Sequence, residues 1–184
     1  MALILASGSP RRRELMALIT SDYTVITSDV DEGKIAADTP AHLAQSLASA
    51  KARAVAKLHP ADTVLGFDTV VDCGGEVFGK PQDEADALRM LRALSGRTHK
   101  VHTGVCICKG GRAAATVETT LVHFSTIVED DLRAYVRTPG PYDKAGAYAI
   151  QGHAALWCAG IEGCYYNIMG LPVHRAAQLL REFA

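Results

Sequence analysis

Leu3-Ile4-Leu5-Ala6-Ser7-Gly8-Ser9-Pro10-Arg11-Arg12-Arg13 opens the described architecture of this 184-residue chain. A short apolar run reads as a buried strand over residues 3–6. Two serines and a glycine make a tight turn. Ser9 is a good helix cap, and Pro10 suits the first helical position, where its missing N–H costs nothing. The chain therefore starts strand, turn, helix, with cations packed onto the turn. Backbone N–H groups at such a junction attract anions, and arginine forks supply matching charge and donors. A phosphate chain is the natural ligand. Successive helical residues point about 100° apart, so the three arginines cannot all face one site. Arg11 and Arg12 are expected to face it, with Arg13 outward.

Downstream the pattern alternates. Leu15, Leu18 and Ile19 mark one apolar helix face, and Tyr23 to Thr27 reads as a second strand. Ser28 to Thr39 is polar and acidic, a loop. Thr39-Pro40 opens a long helix to about Leu58, with Leu43, Leu47, Ala50 and Ala54 as its stripe. Residues 63–72 read as a central strand. A further helix is expected from about Asp83 to Leu94, with Gly96 closing it. Thr98 to Lys109 and Arg112 to Ser125 flank Gly110-Gly111, a hairpin signal. Glu129 to Thr138 is a short helix stopped by Pro139-Gly140-Pro141. Two more strands are expected at about 147–158 and 161–168, and a final amphipathic helix after Pro172. Helices interleaved with hairpins indicate an α/β or α+β fold with a mixed sheet, in one domain over residues 1–184.

Bulk properties narrow the function. Nineteen Lys and Arg against twenty Asp and Glu leave a net charge of −1. That argues against nucleic acid or a membrane surface as partner, both of which favour a basic excess. No charged segment followed by a long apolar run marks a secretory signal, and no stretch is long enough to span a bilayer. Five cysteines in no framework spacing fit a reducing compartment, so a cytoplasmic location is expected.

Asp68 is the sharpest single residue. It interrupts Val64-Leu65-Gly66-Phe67-Asp68-Thr69-Val70-Val71, and a carboxylate in a buried strand is costly unless it is paired or binds metal. A salt-bridged core Asp competes with a metal ligand or general base. Lys51, on a helix of Ala, Val and Leu, and Lys80, in a Gly-Lys-Pro turn, each read alone as surface lysines; Glu32 alone reads as a loop acid. Gly74-Gly75-Glu76-Val77-Phe78-Gly79-Lys80 matches a phosphate-loop spacing, but Pro81 follows. Proline has neither a hydroxyl for magnesium nor an N–H for phosphate, so that motif is rejected. Cys106 and Cys108 share one face of a strand and read as core rather than ligands. The histidines lack zinc spacing, and no hydrolase elbow is present.

Taken in order, A-S-G-S-P-R-R, Asp31-Glu32, Lys51, G-F-D-T-V-V, G-K-P, L-S-G-R-T-H and D-K-A-G-A-Y-A-I-Q-G resemble the Maf family of nucleoside triphosphate pyrophosphatases over nearly the whole chain. The resemblance implies an elongated α/β domain around a mixed, mostly antiparallel sheet with a central cleft, similar to inosine-triphosphate pyrophosphatases. It implies hydrolysis of a nucleoside triphosphate between its α- and β-phosphates, giving the monophosphate and pyrophosphate and clearing non-standard nucleotides. A divalent cation, Mg2+ or Mn2+, is implied as cofactor, and a homodimer as assembly. By position, Asp68 would accept the proton of the attacking water, and Glu32 with Asp68 would handle the metal. Lys51, Lys80, Arg12 and the turn from Ser7 to Ser9 would hold the phosphates. Arg11, Thr69 and Gln151 would set base preference. The branch acting on 7-methyl-GTP typically carries Trp, Gln and Glu there, so this chain looks like the branch preferring dTTP, UTP and modified uridine triphosphates. An amide such as Gln151 can pair with both the acceptor and the donor on the uracil edge. Two alternatives stay open. One is another specificity, for 7-methyl-GTP or ITP. The other is a nucleotide-binding regulator of septum formation, in which two carboxylates beside a phosphate site would repel the ligand.

Overall fold

Strand β1 (Leu3–Leu5) leads through the Ser7-Gly8-Ser9 turn into helix α1 (Pro10–Met16), as the opening residues predict. The computed structural model describes residues 2–183. Strand β2 (Thr24–Val25) is shorter than the expected 23–27. A single 3-10 turn at Glu32–Lys34 interrupts the acidic loop. Helix α2 spans Pro40–Leu58, capped by the Thr39 hydroxyl accepting from the His42 amide. Strand β3 (Thr63–Cys73) and β4 (Glu76–Phe78) turn at Gly74-Gly75, so the rejected phosphate-loop match is indeed a hairpin. Helix α3 (Glu84–Leu94), the long hairpin β5 (Thr98–Lys109) and β6 (Arg112–Phe124), and helix α4 (Glu129–Val136) follow. Strand β7 (Cys158–Glu162), helix α5 (Tyr165–Ile168) and helix α6 (Val173–Glu182) end the fold.

The seven strands form one sheet in the order β2-β1-β3-β5-β6-β7, with β4 beside β3. β1 pairs parallel with β2 and β3; every other pairing is antiparallel. The mixed, mostly antiparallel α/β sheet flanked by helices agrees with the sequence reading. A large core, including Phe67, Phe78, Leu91, Leu94 and Ile107, packs one face against α3, α4 and α6. A smaller one, Ile4, Ala6, Val64, Cys106 and Cys108 with Ala48, Ala52 and Val55, seats α2 on the other. Cys106 and Cys108 are thus core residues, as expected, and all five cysteines are free. No helix among the described residues is long and apolar enough to cross a membrane.

The α2 stripe differs from expectation by a small rotation. Leu47 is buried as expected, but Ala44, Ala48, Ala52 and Val55 accompany it rather than Leu43, Ala50 and Ala54. The cause lies in the sheet. A Cβ on Gly66 would stand 2.5 Å from the Ala48 carbonyl oxygen, and one on Gly104 would stand 2.1 Å from that of Ala44. Those two glycines let the helix settle on its alanines, which turns Leu43, Leu47 and Lys51 towards a cleft. Of the expected Leu15-Leu18-Ile19 face, Leu15 is buried and Ile19 packs on the core, but α1 ends at Met16, which is buried in its turn, and Leu18 is 60 % exposed.

The expected strands at 147–158 and 161–168 are not formed as such. The first is a run of loop and 3-10 turns at Ala145–Ala147 and His153–Leu156. The second is split: β7 occupies Cys158–Glu162, Gly163 reverses the chain at φ 123°, and 165–168 is helical. An aromatic cluster of Tyr135, Tyr148, Trp157 and Phe124 holds this segment by packing rather than by strand pairing.

Candidate active site

The cleft is a gap in the sheet. On one side β3 pairs with β5 continuously from Val64 to Asp72. On its other side β1 covers residues 63–65 and β4 covers 71–73, leaving 66–70 without a strand partner. The turn after β1 runs into this gap. Successive strand residues face opposite ways, so Asp68 points to the α2 side and Thr69 to the α1 side of the same opening. The cleft has a volume of about 640 Å³. All the residues expected at the site line it: Ser7, Ser9, Arg11, Arg12, Glu32, Lys51, Asp68, Thr69, Lys80 and Gln151.

On the α2 side one ammonium is shared by two carboxylates. Lys51 Nζ lies 2.5 Å from Asp68 Oδ1 and 2.8 Å from Glu32 Oε1. Asp68 is 8 % exposed, so this resolves the cost of its burial that the sequence posed. Burial pushes the Asp68 pKa up, and the charges of Lys51 and Arg12 pull against it without cancelling it. A carboxylate with a raised pKa is a better proton acceptor than a free aspartate.

On the α1 side Arg12 is held by neutral acceptors. Its Nε donates to the Gly170 carbonyl at 2.8 Å, Nη1 to Ser7 Oγ at 3.1 Å and Nη2 to Thr69 Oγ1 at 3.1 Å. Burial lowers its pKa, with the nearby Asp68 charge opposing. Gly170, at φ 102°, passes so close that an added Cβ would meet Thr69 Oγ1 at 3.2 Å. Arg13 is directed outward to the Gly8 carbonyl, as expected. Ser9 takes the cap position with no side-chain cap bond; its amide donates to Ser7 Oγ instead.

Arg11 behaves differently. Nη1 donates to Asp143 Oδ2 at 2.8 Å and Nη2 to the Asp143 carbonyl at 3.1 Å. Lys144 also donates to the Asp143 carboxylate, and to the Gly140 carbonyl at 2.7 Å. Burial would raise the Asp143 pKa, but the bonds from Lys144 and Arg11 outweigh it and hold it at about 2. Arg11 is therefore largely neutralised, whereas Arg12 keeps its charge for a ligand. Asp143 and Lys144 carry no assigned role in the sequence reading. The adjacent acid and base after Pro139-Gly140-Pro141 were the available signal, and only the fold shows that they close the cleft against α1. The Gly146 amide donates to the Gly79 carbonyl at 3.0 Å, tying this segment to the turn that presents Lys80.

The family model of Maf-like proteins matches residues 2–183. A dTTP/UTP pyrophosphatase of Symbiobacterium thermophilum is 49 % identical over 181 residues, covering 98 % of this chain and 93 % of that protein. A dTTP/UTP pyrophosphatase of Moorella thermoacetica is 49 % identical over 183 residues, covering 98 % and 94 %. The Staphylococcus aureus Ham1 protein superposes with a TM-score of 0.57 over 99 % of each chain at 15 % identity, a likeness of fold. With its cleft built from the motifs that resemble Maf proteins, and a family match across every described residue, this chain belongs to the Maf family.

Proposed function

We propose that this chain hydrolyses dTTP, UTP and modified uridine triphosphates between the α- and β-phosphates, releasing the nucleoside monophosphate and pyrophosphate. The observation that carries the reading is the Glu32–Lys51–Asp68 group at the mouth of a cation-lined gap. The names of close relatives support the substrate class.

Glu32 and Asp68 already focus two carboxylates on one cation, the Lys51 ammonium. That donor set fits a hard divalent ion such as Mg2+ or Mn2+, which takes one or two carboxylates and completes its shell with water and phosphate oxygens. Glu32 and Asp68 would hold it, and when bound it would polarise the phosphoryl group under attack and offset the substrate's charge. The chain's own groups do the rest. Asp68 orients the attacking water and takes its proton. Arg12 and Lys80 hold the phosphates, whose roughly four negative charges need this fixed positive field. Lys51, flanked by its two carboxylates, adds a cation that stabilises charge as it builds on the phosphoryl oxygens. The hydroxyls of Ser7 and Ser9 border the same space. Arg11, Thr69 and Gln151 form the rim assigned to base preference, with the Gln151 amide matching the uracil edge.

Pyrophosphate release from dTTP, UTP, CTP, GTP, 7-methyl-GTP and ITP, with magnesium or manganese, tests this reading. Turnover of dTTP and UTP is expected. Asp68→Asn should lower it by about 10²–10⁴-fold, the ordinary worth of a general base, and chelation of the metal should abolish it. Near-normal turnover by Asp68→Asn at saturating metal would sink the assigned role. Turnover confined to 7-methyl-GTP or ITP would overturn the base preference alone.

A further inference from the structure

Arg12 sits in a closed ring of hydrogen bonds whose far side lies outside the cleft. Thr69 Oγ1, which accepts from Arg12 Nη2, lies 2.9 Å from Thr103 Oγ1. Thr103 Oγ1 donates its single proton to the Asn167 carbonyl at 2.9 Å. A threonine hydroxyl has one hydrogen, so the Thr69 hydroxyl must donate to Thr103. The direction is thereby set throughout: Arg12 to Thr69, Thr69 to Thr103, Thr103 to Asn167. The Gly170 amide donates to the same Asn167 carbonyl at 2.9 Å, and the Gly170 carbonyl takes Arg12 Nε. The ring thus joins α1, β3, β5 and the turn after α5.

We propose that Thr103 is a positioning residue for phosphate binding, its hydroxyl acting through Thr69 to aim the Arg12 guanidinium into the cleft. This rests on the phosphate-binding role proposed above for Arg12. Thr103 is fully buried on β5 and is not among the residues lining the cleft, so it acts on a ligand only through its neighbours. Among the described residues no carboxylate bonds to Arg12; three neutral acceptors orient it. Removing the Thr103 hydroxyl leaves Thr69 without an acceptor. Its proton must then turn elsewhere, and the oxygen no longer presents a fixed lone pair to Nη2. A guanidinium held by two acceptors instead of three can rotate away from the phosphates.

Thr103→Val keeps the volume and deletes the hydroxyl; Thr103→Ser keeps the hydroxyl. For Thr103→Val, kcat/KM for dTTP should fall about tenfold, the order expected for a lost buried hydrogen bond, with the change in KM. Calorimetric binding of inorganic tripolyphosphate, which carries no base, should weaken by the same factor. Thr103→Ser should return within about twofold of the parent. In an Arg12→Lys background Thr103→Val should add less than twofold, because coupled residues are not additive. Unchanged tripolyphosphate binding, failure of Thr103→Ser to restore it, or the full tenfold loss persisting beside Arg12→Lys would each overturn the proposal. Should Thr103→Val fail to fold, Thr69→Val breaks the ring one link nearer and must give the same tripolyphosphate loss. A parent chain that binds tripolyphosphate and turns over no nucleotide would sink the proposed reaction while leaving Thr103 testable by binding alone.

Discussion

At the scale of single residues, neighbouring cations in this cleft differ by what neutralises them. Arg11 and Arg12 are adjacent, yet one faces a carboxylate and the other only carbonyl and hydroxyl oxygens. Asp143 makes that difference. Replacing it with Asn keeps the shape and removes the charge, freeing Arg11 from the segment that ends in Gln151. The Asp143 side chain is 56 % exposed, so the pair is worth little in stability. The expected readout is therefore selectivity: the dTTP-to-CTP ratio of kcat/KM should drop by about twofold to fivefold, while Tm stays within a degree or two. An unchanged ratio would show that the Arg11–Asp143 contact has no part in base preference. Because Asp143 is held at about 2, its contribution is complete above the ordinary aspartate pKa near 4 and is lost only as the pH falls towards 2. The selectivity of the parent chain should accordingly be flat from pH 5 to 8.

At the scale of elements, the seat of α2 on the sheet sets where Lys51 stands. Gly66 and Gly104 are the contact points, and their missing Cβ atoms let helix backbone touch strand backbone. Gly104→Ala would put a carbon 2.1 Å from the Ala44 carbonyl oxygen, which no side-chain rearrangement relieves. Lifting the helix should cost about 2–3 kcal/mol, in the range of overpacked cores. It should also lower turnover, because Lys51 moves with α2 away from Asp68. Urea unfolding with parallel kinetics measures both; full stability with full turnover would mean that the helix seat does not govern the site. The hydrophobic periodicity of α2 locates a helix correctly but misses its rotation by one position. Rotation depends on which sheet residues it meets, and Gly66 and Gly104 are strand residues outside the helix itself.

At the scale of the whole molecule, the segment from 139 to 157 is held down by an aromatic cluster with a histidine at its centre. His99 is 1 % exposed, lies edge-on to Phe124 at 4.9 Å, and shares a 2.8 Å hydrogen bond between Nε2 and the Tyr148 hydroxyl. Its Nδ1 has no partner among the described residues. Burial, with a smaller push from His123, lowers the His99 pKa from 6.5 to about 4. The unfolded chain therefore binds a proton between pH 6.5 and 4 that the folded chain refuses. Stability is complete above about pH 6.5 and is lost as the pH falls. At about 1.4 kcal/mol per tenfold change in proton affinity, the loss approaches about 3 kcal/mol by pH 4. Urea midpoints measured from pH 7 to pH 4 should fall accordingly, and His99→Gln should flatten the slope. An equal slope in both proteins would place the acid sensitivity elsewhere. Tyr148 also lines the cleft, so loosening this cluster should reach the site.

The sequence by itself determined the elements with strong local signals: the strand-turn-helix start, α2 between Thr39 and Leu58, the β3 and β5–β6 runs, and the helix to Leu94 that Gly96 closes. Those follow from periodicity, cap chemistry and turn residues, which act over a few positions. The motif set also determined which residues would meet, since each expected site residue lines one cleft. Only the tertiary structure decided how they meet. The gap at 66–70 exists because β1 and β4 are both too short to cover β3, a matter of pairing between distant strands. The sharing of Lys51 by Glu32 and Asp68, the neutralisation of Arg11 by Asp143, and the ring from Arg12 to Asn167 join residues up to 158 positions apart. The segment from 147 to 168 departs from the expected strands for the same reason. Its composition suits a strand, but side-chain packing around Tyr148 and Trp157 outweighs local preference, and such packing is visible only once the chain has folded.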